Sequence, residues 1–496
     1  MKYVSTRNKN IRVSAAEAIK EGLSKEGGLF VPESFPVLEK ADYDYLLSVP
    51  YIKRASYILN KYLEEFSISE LSDFSEKAYG SNKFGNGEVT PIYEYDNKTF
   101  FLELWHGPTC AFKDMALQML PHLLTASIKK TGDGRIVTIL VATSGDTGKA
   151  ALDGFSNVSG SKIIVFYPKD GVSEIQRIQM VTQEGENVFV CGVDGNFDDA
   201  QTGVKNIFVN NQYNQKLNDN GVILSSANSI NWGRLVPQIV YYISSYVDLV
   251  KNGKIALGDK INVCVPTGNF GNILAAYYAK CMGLPINKLI CASNSNNVLT
   301  EFINTGTYDK NRDFILTMSP SMDILISSNL ERYVFDASNK SDDYINEIMS
   351  DLSKKGKYTV SDEIKAKIAD EFYADFASEE ETLSEIKESF TNKKYLMDSH
   401  TAVASCVYKK YVKDTKDKTV TIIASTANPY KFNGSVLKAL DISHNVNDEF
   451  ELLKLLNEKT GLEIPVQLSS LKEKSRRFND NCQKDEMISV VSEFLK

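Results

Sequence analysis

Short runs of β-branched and other apolar residues alternate with helix-like stretches from residue 93 onward. Five of these runs predict strands: Ile136–Val141, Lys162–Tyr167, Val188–Val193, Ile261–Val265 and Thr419–Ile423. Apolar runs separated by helices are typical of parallel strands that are buried on both faces. The pattern therefore predicts an α/β fold in which helices cover parallel sheets.

Residues 1–92 lack this alternation and are predicted to form a mainly helical N-terminal domain, with a helix near Ala15–Lys20 and a turn at Gly27–Gly28. We expect a second domain over residues 93–496. Between about 330 and 392 the chain becomes strongly charged and its strand runs disappear, which predicts a helical, solvent-facing insertion. The segment Glu449–Leu456 has a helical pattern with a charged, solvated face.

Length and composition support this division. With 496 residues the chain is longer than a single hydrophobic core usually organises. A net charge of -8 argues against nucleic-acid partners and anionic membrane surfaces. No secretory signal and no apolar run of ~20 residues is visible, and the seven cysteines are dispersed, so we expect a cytoplasmic protein. Four histidines without an H-E-x-x-H pattern make a protein-built metal site improbable.

A first group of candidate residues lies in Leu102–Asp114, where Gly107-Pro108-Thr109 interrupts the chain and Lys113 opens the next helix. Desolvation beside Phe112 and the positive end of the helix dipole are expected to lower the pKa of Lys113. A lysine that forms a Schiff base needs such a pKa. The alternative for this segment alone is a solvated surface lysine at a helix start.

A second group follows the predicted strand Ile136–Val141, where a turn of small polar residues leads into an alanine-rich helix. Backbone N–H groups at such a turn can bind a carboxylate or a phosphate. Gly148-Lys149 does not belong to a nucleotide-binding P-loop, because Thr143 stands where the first glycine belongs and Ala150 replaces the magnesium-binding hydroxyl.

A third group follows the strand Ile261–Val265, where Gly268 and Gly271 flank a loop that runs into another helix. Two glycines allow the backbone to close around a phosphate. The loop lacks G-x-G-x-x-G, so a nicotinamide dinucleotide is disfavoured.

Together these segments resemble the threonine synthases, in the longer form with an extra N-terminal domain. The resemblance extends over nearly the whole chain and depends on these segments: Tyr3–Arg7, Gly27–Pro32, His106–Asp114, residues 144–148, Ser226–Trp232, Gly268–Gly271 and Ser425–Phe432. It implies the fold of the tryptophan-synthase β-subunit, which is fold type II of the pyridoxal-phosphate enzymes. It also implies a small subdomain over about 126–245 and a large subdomain formed by the rest of residues 93–496.

The resemblance implies a role for each candidate residue. Pyridoxal 5'-phosphate would be attached to Lys113, and its phosphate would lie in a cup formed by Gly268, Asn269, Phe270, Gly271 and Asn272. Thr426 would face the pyridine nitrogen. Ser144 and Thr147 would hold the substrate carboxylate. For the substrate phosphate the residue types themselves indicate a donor-rich cluster, formed by Asn228, Ser229, Asn231 and Arg234. The structural alternative is helix capping by Asn228 or Ser229 together with a surface arginine. Asn428 stands where this form of the family is expected to have a histidine.

The implied reaction converts O-phospho-L-homoserine and water into L-threonine and phosphate, and makes the chain a carbon–oxygen lyase. We expect a monomer or a small homo-oligomer. Two other functions remain open: a serine or threonine dehydratase of the same fold, which needs no second phosphate site, and a catalytically idle paralogue that binds the cofactor.

Overall fold

A computed structural model describes residues 1–84, 87–143, 145–169, 172–446 and 448–496. It contains the two parallel sheets that the alternating pattern predicts. The larger sheet has six strands, in the spatial order Phe372–Phe376, Ile286–Ser293, Ile261–Pro266, Thr421–Ser425, Thr99–Glu103 and Ile92–Glu94. All neighbouring strands in this large sheet are parallel except the last pair.

The smaller sheet has five strands, and every neighbouring pair in it is parallel. Their spatial order is Asn481–Cys482, Val188–Val193, Ser161–Pro168, Ile136–Ala142 and Val222–Ser225. The five strands predicted from the sequence are therefore confirmed across the two sheets, with ends that differ by at most two residues. The prediction missed Thr99–Glu103 and Ile286–Ser293, which are interior strands of the large sheet.

The expectation of a helical insertion over 330–392 is wrong in two places. Lys357–Thr359 pairs with Thr307–Asp309 in an antiparallel ribbon, and Phe372–Phe376 is an edge strand of the large sheet. An edge strand needs no continuous apolar run, and in Phe372–Phe376 only Phe372 and Ala374 are buried. This short alternation is hidden by the charged residues around it.

Residues 1–84 are mainly helical, as predicted, but they also contain a small antiparallel sheet of Tyr3–Ser5, Asn8–Val13 and Phe30–Pro32. Tyr3–Ser5 and Phe30–Pro32 have three residues each, too few to produce a strand pattern, and Asn8–Val13 is mostly polar. The ring of Tyr3 packs 5.2 Å from that of Trp232, which opens the long helix Trp232–Lys251. The N-terminal segment is thus packed against the helix that carries part of the candidate site.

Helices surround the sheets along the rest of the chain. The helices of residues 1–251 are Ala15–Glu21, Lys40–Ser48, Tyr51–Tyr62, Ile68–Tyr79, Ser81–Phe84, Lys113–Leu117, Leu120–Lys130, Asp146–Phe155, Glu174–Val181, Phe197–Val209, Asn211–Asp219 and Trp232–Lys251. Those that follow are Gly271–Cys281, Val298–Thr305, Leu330–Ala337, Asp342–Lys355, Asp362–Glu371, Glu379–Lys393, Ser399–Thr415, Asn433–Ala439, Glu449–Thr460, Val466–Ser469 and Met487–Leu495. Short 3-10 helices lie at Pro320–Met322, Pro429–Phe432, Ser470–Glu473 and Lys484–Glu486. In the described part of the chain, none of the helices combines the length and the apolarity needed to cross a membrane.

The candidate residues follow the carboxyl ends of parallel strands. Lys113 comes after Thr99–Glu103, the glycine loop after Ile261–Pro266 and Thr426 after Thr421–Ser425, and these three strands are neighbours in the large sheet. In open α/β sheets, ligands bind at this edge. The parallel topology therefore explains how segments more than 300 residues apart meet in one site.

Candidate active site

Lys113 is buried at the start of the helix Lys113–Leu117, with 9% of the residue exposed. Its Nζ donates a hydrogen bond to Oγ of Ser321 at 3.1 Å and lies 3.5 Å from Oδ2 of Asp146. The ring centroid of Phe112 is 5.1 Å from the same nitrogen. A solvated surface lysine, the alternative for this segment, is therefore excluded.

Burial lowers the pKa of the Lys113 amine, as the sequence predicts. Asp146 opposes this effect, whereas the cations Lys431 and Arg234 lower the pKa further. The helix that Lys113 opens has only five residues, so desolvation and not the helix dipole is the main cause. A neutral amine can act as a nucleophile and as a base, which suits Lys113 to covalent catalysis.

Asp146 and Lys431 are two charged residues of the site that sequence reasoning did not select. Oδ1 of Asp146 lies 2.6 Å from Nζ of Lys431, and both side chains are almost completely buried. The pKa of Asp146 falls well below its usual range: burial raises it, but Lys431 and Lys113 outweigh this effect. Both residues lie inside segments on which the family resemblance depends, so the resemblance could have identified them as site residues.

The glycine loop is held against the segment around Ser321. A Cβ atom on Gly268 would lie 2.6 Å from the carbonyl oxygen of Ser321, so only glycine fits this close approach. Phe270, at the end of the loop, has a left-handed backbone with φ of 62°. The loop thus has a fixed shape, and Ser321 contacts both it and Lys113.

Several N–H groups of the loop are free to bind an anion. Among the described residues, no partner accepts from the backbone N–H of Gly268, Asn269 or Phe270. The buried Nδ2 of Asn272 also lacks a partner there, although its Oδ1 accepts hydrogen bonds from Tyr241 and Tyr242. Unpaired donors at a helix start, next to a buried amine, fit a phosphate-bearing aldehyde such as pyridoxal phosphate.

Thr426 is hydrogen-bonded to the residue that precedes Lys113. Its carbonyl accepts a hydrogen bond from the N–H of Phe112 at 2.8 Å, and 5% of Thr426 is exposed. Asn428, in place of the expected histidine, accepts from the N–H of Tyr430 at 3.0 Å and caps the 3-10 helix Pro429–Phe432. The asparagine therefore has a local structural role in the turn that follows Thr426.

The turn proposed to hold the substrate carboxylate is only partly described. Ser144 lies outside the described residues, whereas Thr147 is half-buried in the first turn of the helix Asp146–Phe155. Oγ1 of Thr143 accepts hydrogen bonds from the N–H groups of Gly145 and Gly148, each at 3.0 Å. The hydroxyl of Thr143, which the sequence did not mark, therefore shapes this turn.

Arg234 is buried, and its charge has no carboxylate partner among the described residues. One nitrogen donates to the carbonyl of Ala227 at 2.7 Å, whereas Nε is buried without a partner. Burial lowers the pKa of Arg234 to about 10, and this cation is close enough to lower the pKa of Lys113. A buried guanidinium without a counter-charge, close to Lys113, is suited to bind an anionic substrate group.

The other three candidates for the substrate phosphate differ in their surroundings. Asn228 is exposed and Ser229 is half-buried, so both remain accessible. Asn231 is buried, and its side chain accepts from the N–H of Gly233 at 2.8 Å and donates to the carbonyl of Ile19 at 3.0 Å. Asn231 thus caps the helix Trp232–Lys251, and both ends of its amide are occupied.

A buried histidine supports the residue that contacts Lys113. Nε2 of His400 accepts from the backbone N–H of Ser321 at 3.2 Å, and Nδ1 is paired with Asp398 at 2.8 Å. Because Nε2 accepts a hydrogen bond, the ring hydrogen is on Nδ1 and points to Asp398. No motif in the sequence connected His400 with Lys113, because 287 positions separate them and only the fold brings them together.

Family models cover most of the chain. Residues 2–79 match "Threonine synthase N terminus", residues 85–426 match "Pyridoxal-phosphate dependent enzyme" and residues 401–491 match "Threonine synthase, C-terminal". The middle match contains Lys113, the glycine loop and Thr426. The cofactor of this family is the one that the loop and the buried amine fit.

Curated and solved relatives agree with these models. "Threonine synthase-like 1" of Homo sapiens is 42% identical over 90% of this chain, which spans 61% of the length of that protein. Threonine synthase of Schizosaccharomyces pombe is 36% identical over 91% of this chain and 92% of its own length. The crystal structure of pyridoxal-phosphate-bound threonine synthase from Brucella melitensis has a TM-score of 0.88 and 33% identity, and covers 100% of this chain and 98% of that one. The chain belongs to the threonine synthase family of pyridoxal-phosphate-dependent enzymes.

Proposed function

We propose that the chain is a threonine synthase that converts O-phospho-L-homoserine and water into L-threonine and inorganic phosphate. The observation that carries the proposal is the buried guanidinium of Arg234 near Lys113, which no carboxylate among the described residues pairs with. It supplies an anion site in addition to the N–H groups of the glycine loop. An enzyme that binds a phosphorylated substrate and a phosphorylated cofactor together needs two such sites.

The cofactor would be held by residues already described. Lys113 attaches it, the loop Gly268–Phe270 together with Gly271 and Asn272 binds its phosphate, and Thr426 faces its pyridine nitrogen. When bound, pyridoxal phosphate withdraws electron density from the substrate, which weakens bonds at the carbons near its amino group.

The protein's own groups then control protons and orientation. The amine of Lys113, kept weakly basic by burial, takes a proton from Cα and moves protons at Cα and Cβ. Ser144 and Thr147 hold the substrate carboxylate. Arg234, with the accessible Asn228 and Ser229, holds the phosphate that leaves from Cγ. We leave Asn231 out of this set because both ends of its amide are engaged.

After phosphate has left, a proton is added at Cγ, which becomes the methyl group of threonine. A water molecule then adds to Cβ, and this step places the hydroxyl of threonine. Since one water is consumed and one phosphate is released for each threonine, the reaction balances. The hydroxyl of Thr426 is neutral, so it disfavours protonation of the pyridine nitrogen compared with a carboxylate and limits how far charge is withdrawn from the substrate.

The deciding experiment is an assay of purified protein with O-phosphohomoserine that follows threonine and phosphate together. Equal amounts of the two products support the proposal. Release of ammonia and a keto acid from serine or threonine, without phosphate turnover, would identify a dehydratase instead. Cofactor absorbance without turnover of any of these substrates would identify an idle relative of the kind that the name "threonine synthase-like 1" leaves open.

We also propose the domain division over 1–92 and 93–496, with the small subdomain about 126–245 and the large subdomain from the remainder. The exception is Asn481–Cys482, which pairs with Val188–Val193 and so belongs with the small subdomain. The strands Ile136–Ala142 to Val222–Ser225 of the small sheet support the smaller unit. A cytoplasmic location is supported by the seven free cysteines, which suit a reducing compartment. Fractionation of cells that express the tagged chain would test the location, and limited proteolysis the domain division.

A further inference from the structure

Two buried lysines share the carboxylate of Asp146. Nζ of Lys431 lies 2.6 Å from Oδ1, and Nζ of Lys113 lies 3.5 Å from Oδ2. The side chain of Lys431 has no exposed surface, and that of Asp146 is 6% exposed. Interactions between charges are strong in such a poorly solvated environment. The closer partner of Asp146 is therefore a lysine other than the proposed cofactor lysine.

Lys431 is fixed in place by a second contact. Its Nζ also donates to the carbonyl of Thr109 at 2.9 Å, in the turn before Lys113. Gln176 donates to Oδ1 of Asp146 at 3.1 Å, so this oxygen has two donors. Lys431 thus connects the turn before Lys113, the helix Asp146–Phe155 and the turn after Thr426.

The charges that face the Lys113 amine come from three different elements. Among the described residues they are Asp146 on the helix Asp146–Phe155, Lys431 on the 3-10 helix Pro429–Phe432 and Arg234 on the helix Trp232–Lys251. Ser321, which accepts from Lys113, is neutral and is supported by His400. Asp146 is the one anion in this group, and its charge is shared with the closer cation, Lys431.

We propose that Lys431 is a positioning residue whose cation offsets the carboxylate of Asp146 and so limits the net negative charge that the Lys113 nitrogen meets. Without Lys431, the full carboxylate charge would hold a proton on that nitrogen and impede its transfer to and from the substrate. With Lys431 present, the nitrogen can release and regain a proton. The inference rests on the proposed role of Lys113 as the cofactor lysine.

The test is the pH dependence of the visible absorption of the holoenzyme, because protonation of the nitrogen contributed by Lys113 changes the colour of the attached cofactor. Lys431→Met removes the cation and keeps an unbranched side chain that is one atom shorter. We expect the midpoint of the absorbance titration to move to higher pH by about one to three units. Asp146→Asn removes the anion and should move it to lower pH. Lys438→Met, on an exposed residue of the helix Asn433–Ala439, should keep the parental midpoint.

The double variant Asp146→Asn/Lys431→Met completes the comparison. It should titrate above Asp146→Asn, because a bare cation has been removed, and below Lys431→Met. If Lys431→Met fails to fold because Asp146 loses its closer partner, the comparison of Asp146→Asn with the double variant decides the question. An unchanged midpoint in Lys431→Met, or a midpoint at lower pH, would overturn the proposal. Equal midpoints for Asp146→Asn and the double variant would also overturn it.

This titration is independent of the proposed function. It requires only that the cofactor is attached to Lys113, whereas threonine synthesis is tested by product analysis on the parent protein. A parent that produces no threonine but shows the expected shifts would disprove the substrate and leave the role of Lys431 intact.

Discussion

The backbone N–H of Phe112 donates to the carbonyl of Thr426 at 2.8 Å. This bond fastens the residue before Lys113 to the residue after the strand Thr421–Ser425. Lys113 and Thr426 are thereby held at one edge of the large sheet by main-chain contacts that do not depend on a side chain.

This arrangement leads to a prediction about Lys113. Reduction of the holoenzyme with borohydride followed by peptide mapping should place the cofactor on Lys113. Lys113→Ala should lose at least about 10³-fold in turnover, because the proton transfers lose their base, while some cofactor remains bound noncovalently. Lys129→Ala, on an exposed residue of the helix Leu120–Lys130, is the matched control. Cofactor recovered on any other lysine would remove Lys113 from its role.

The glycine loop can be tested with a pair of nearly isosteric substitutions at Gly271. A Cβ atom there would come no closer than 3.4 Å to a neighbouring atom, which is Nδ2 of Asn329, so a side chain can be accommodated. Gly271→Asp should weaken cofactor binding about tenfold or more through charge repulsion with the cofactor phosphate. Gly271→Asn should lose much less. Equal affinities for the two folded variants, measured by equilibrium titration, would mean that no phosphate lies in this loop.

Arg234 is predicted to decide how the substrate phosphate is bound. Arg234→Ala should lower kcat/KM for O-phosphohomoserine roughly ten- to a hundredfold and leave the cofactor spectrum nearly unchanged. Inorganic phosphate should inhibit the parent competitively and the variant less. The control is Arg177→Ala, since Arg177 is paired with Glu174 on another helix. Parental kinetics in Arg234→Ala would place the phosphate pocket elsewhere.

The same guanidinium is predicted to cost the protein stability. Arg234 is buried and has no carboxylate partner in the part of the chain that the structure describes, and such burial is unfavourable for a charged group. Arg234→Met should therefore keep or increase the free energy of unfolding in urea while it loses the response to phosphate. A loss of stability above about 2 kcal/mol would instead identify the bond to Ala227 as structurally essential.

A pH dependence of stability is predicted from Asp336, whose two carboxylate oxygens lack partners among the described residues. Burial raises the pKa of Asp336 to about 7. Between its ordinary value of 3.8 and about 7 the folded chain holds a proton that the unfolded chain has lost, so stability falls as the pH rises through this range. Asp336→Asn should be more stable than the parent at pH 8, by an amount on the order of 3 kcal/mol, and should differ little at pH 4. Thermal unfolding at both pH values is the measurement, with the exposed Asp343→Asn as control.

The sequence predicted the parts of the fold that leave a regular pattern. Buried parallel strands such as Ser161–Pro168, which are continuous apolar runs, were recognised with nearly correct ends, whereas the interior strands Thr99–Glu103 and Ile286–Ser293 were missed. Phe372–Phe376 was missed because an edge strand buries only one face. In Tyr3–Ser5 three residues are too few to establish a period.

Within the site, sequence reasoning selected Lys113 and the glycine loop because both stand at breaks between regular elements. The contact between Asp146 and Lys431 joins positions 285 residues apart, and no local pattern specifies such a pair. For Asn231 the residue type suggested a ligand contact, whereas the burial of both amide groups shows that helix capping dominates. Burial in the folded protein, which the sequence does not reveal, distinguishes the residues of the site from a helix cap such as Asn231.

The parallel pairing of Thr99–Glu103 with Thr421–Ser425 has a consequence for the order of folding. During synthesis the ribosome must add more than 300 residues after the first of these strands before the second emerges. Four strands of the small sheet, from Ile136–Ala142 to Val222–Ser225, are complete much earlier. Thr99–Glu103, with Thr99–Leu102 destined for the interior, therefore waits without its partner and is open to non-native pairing.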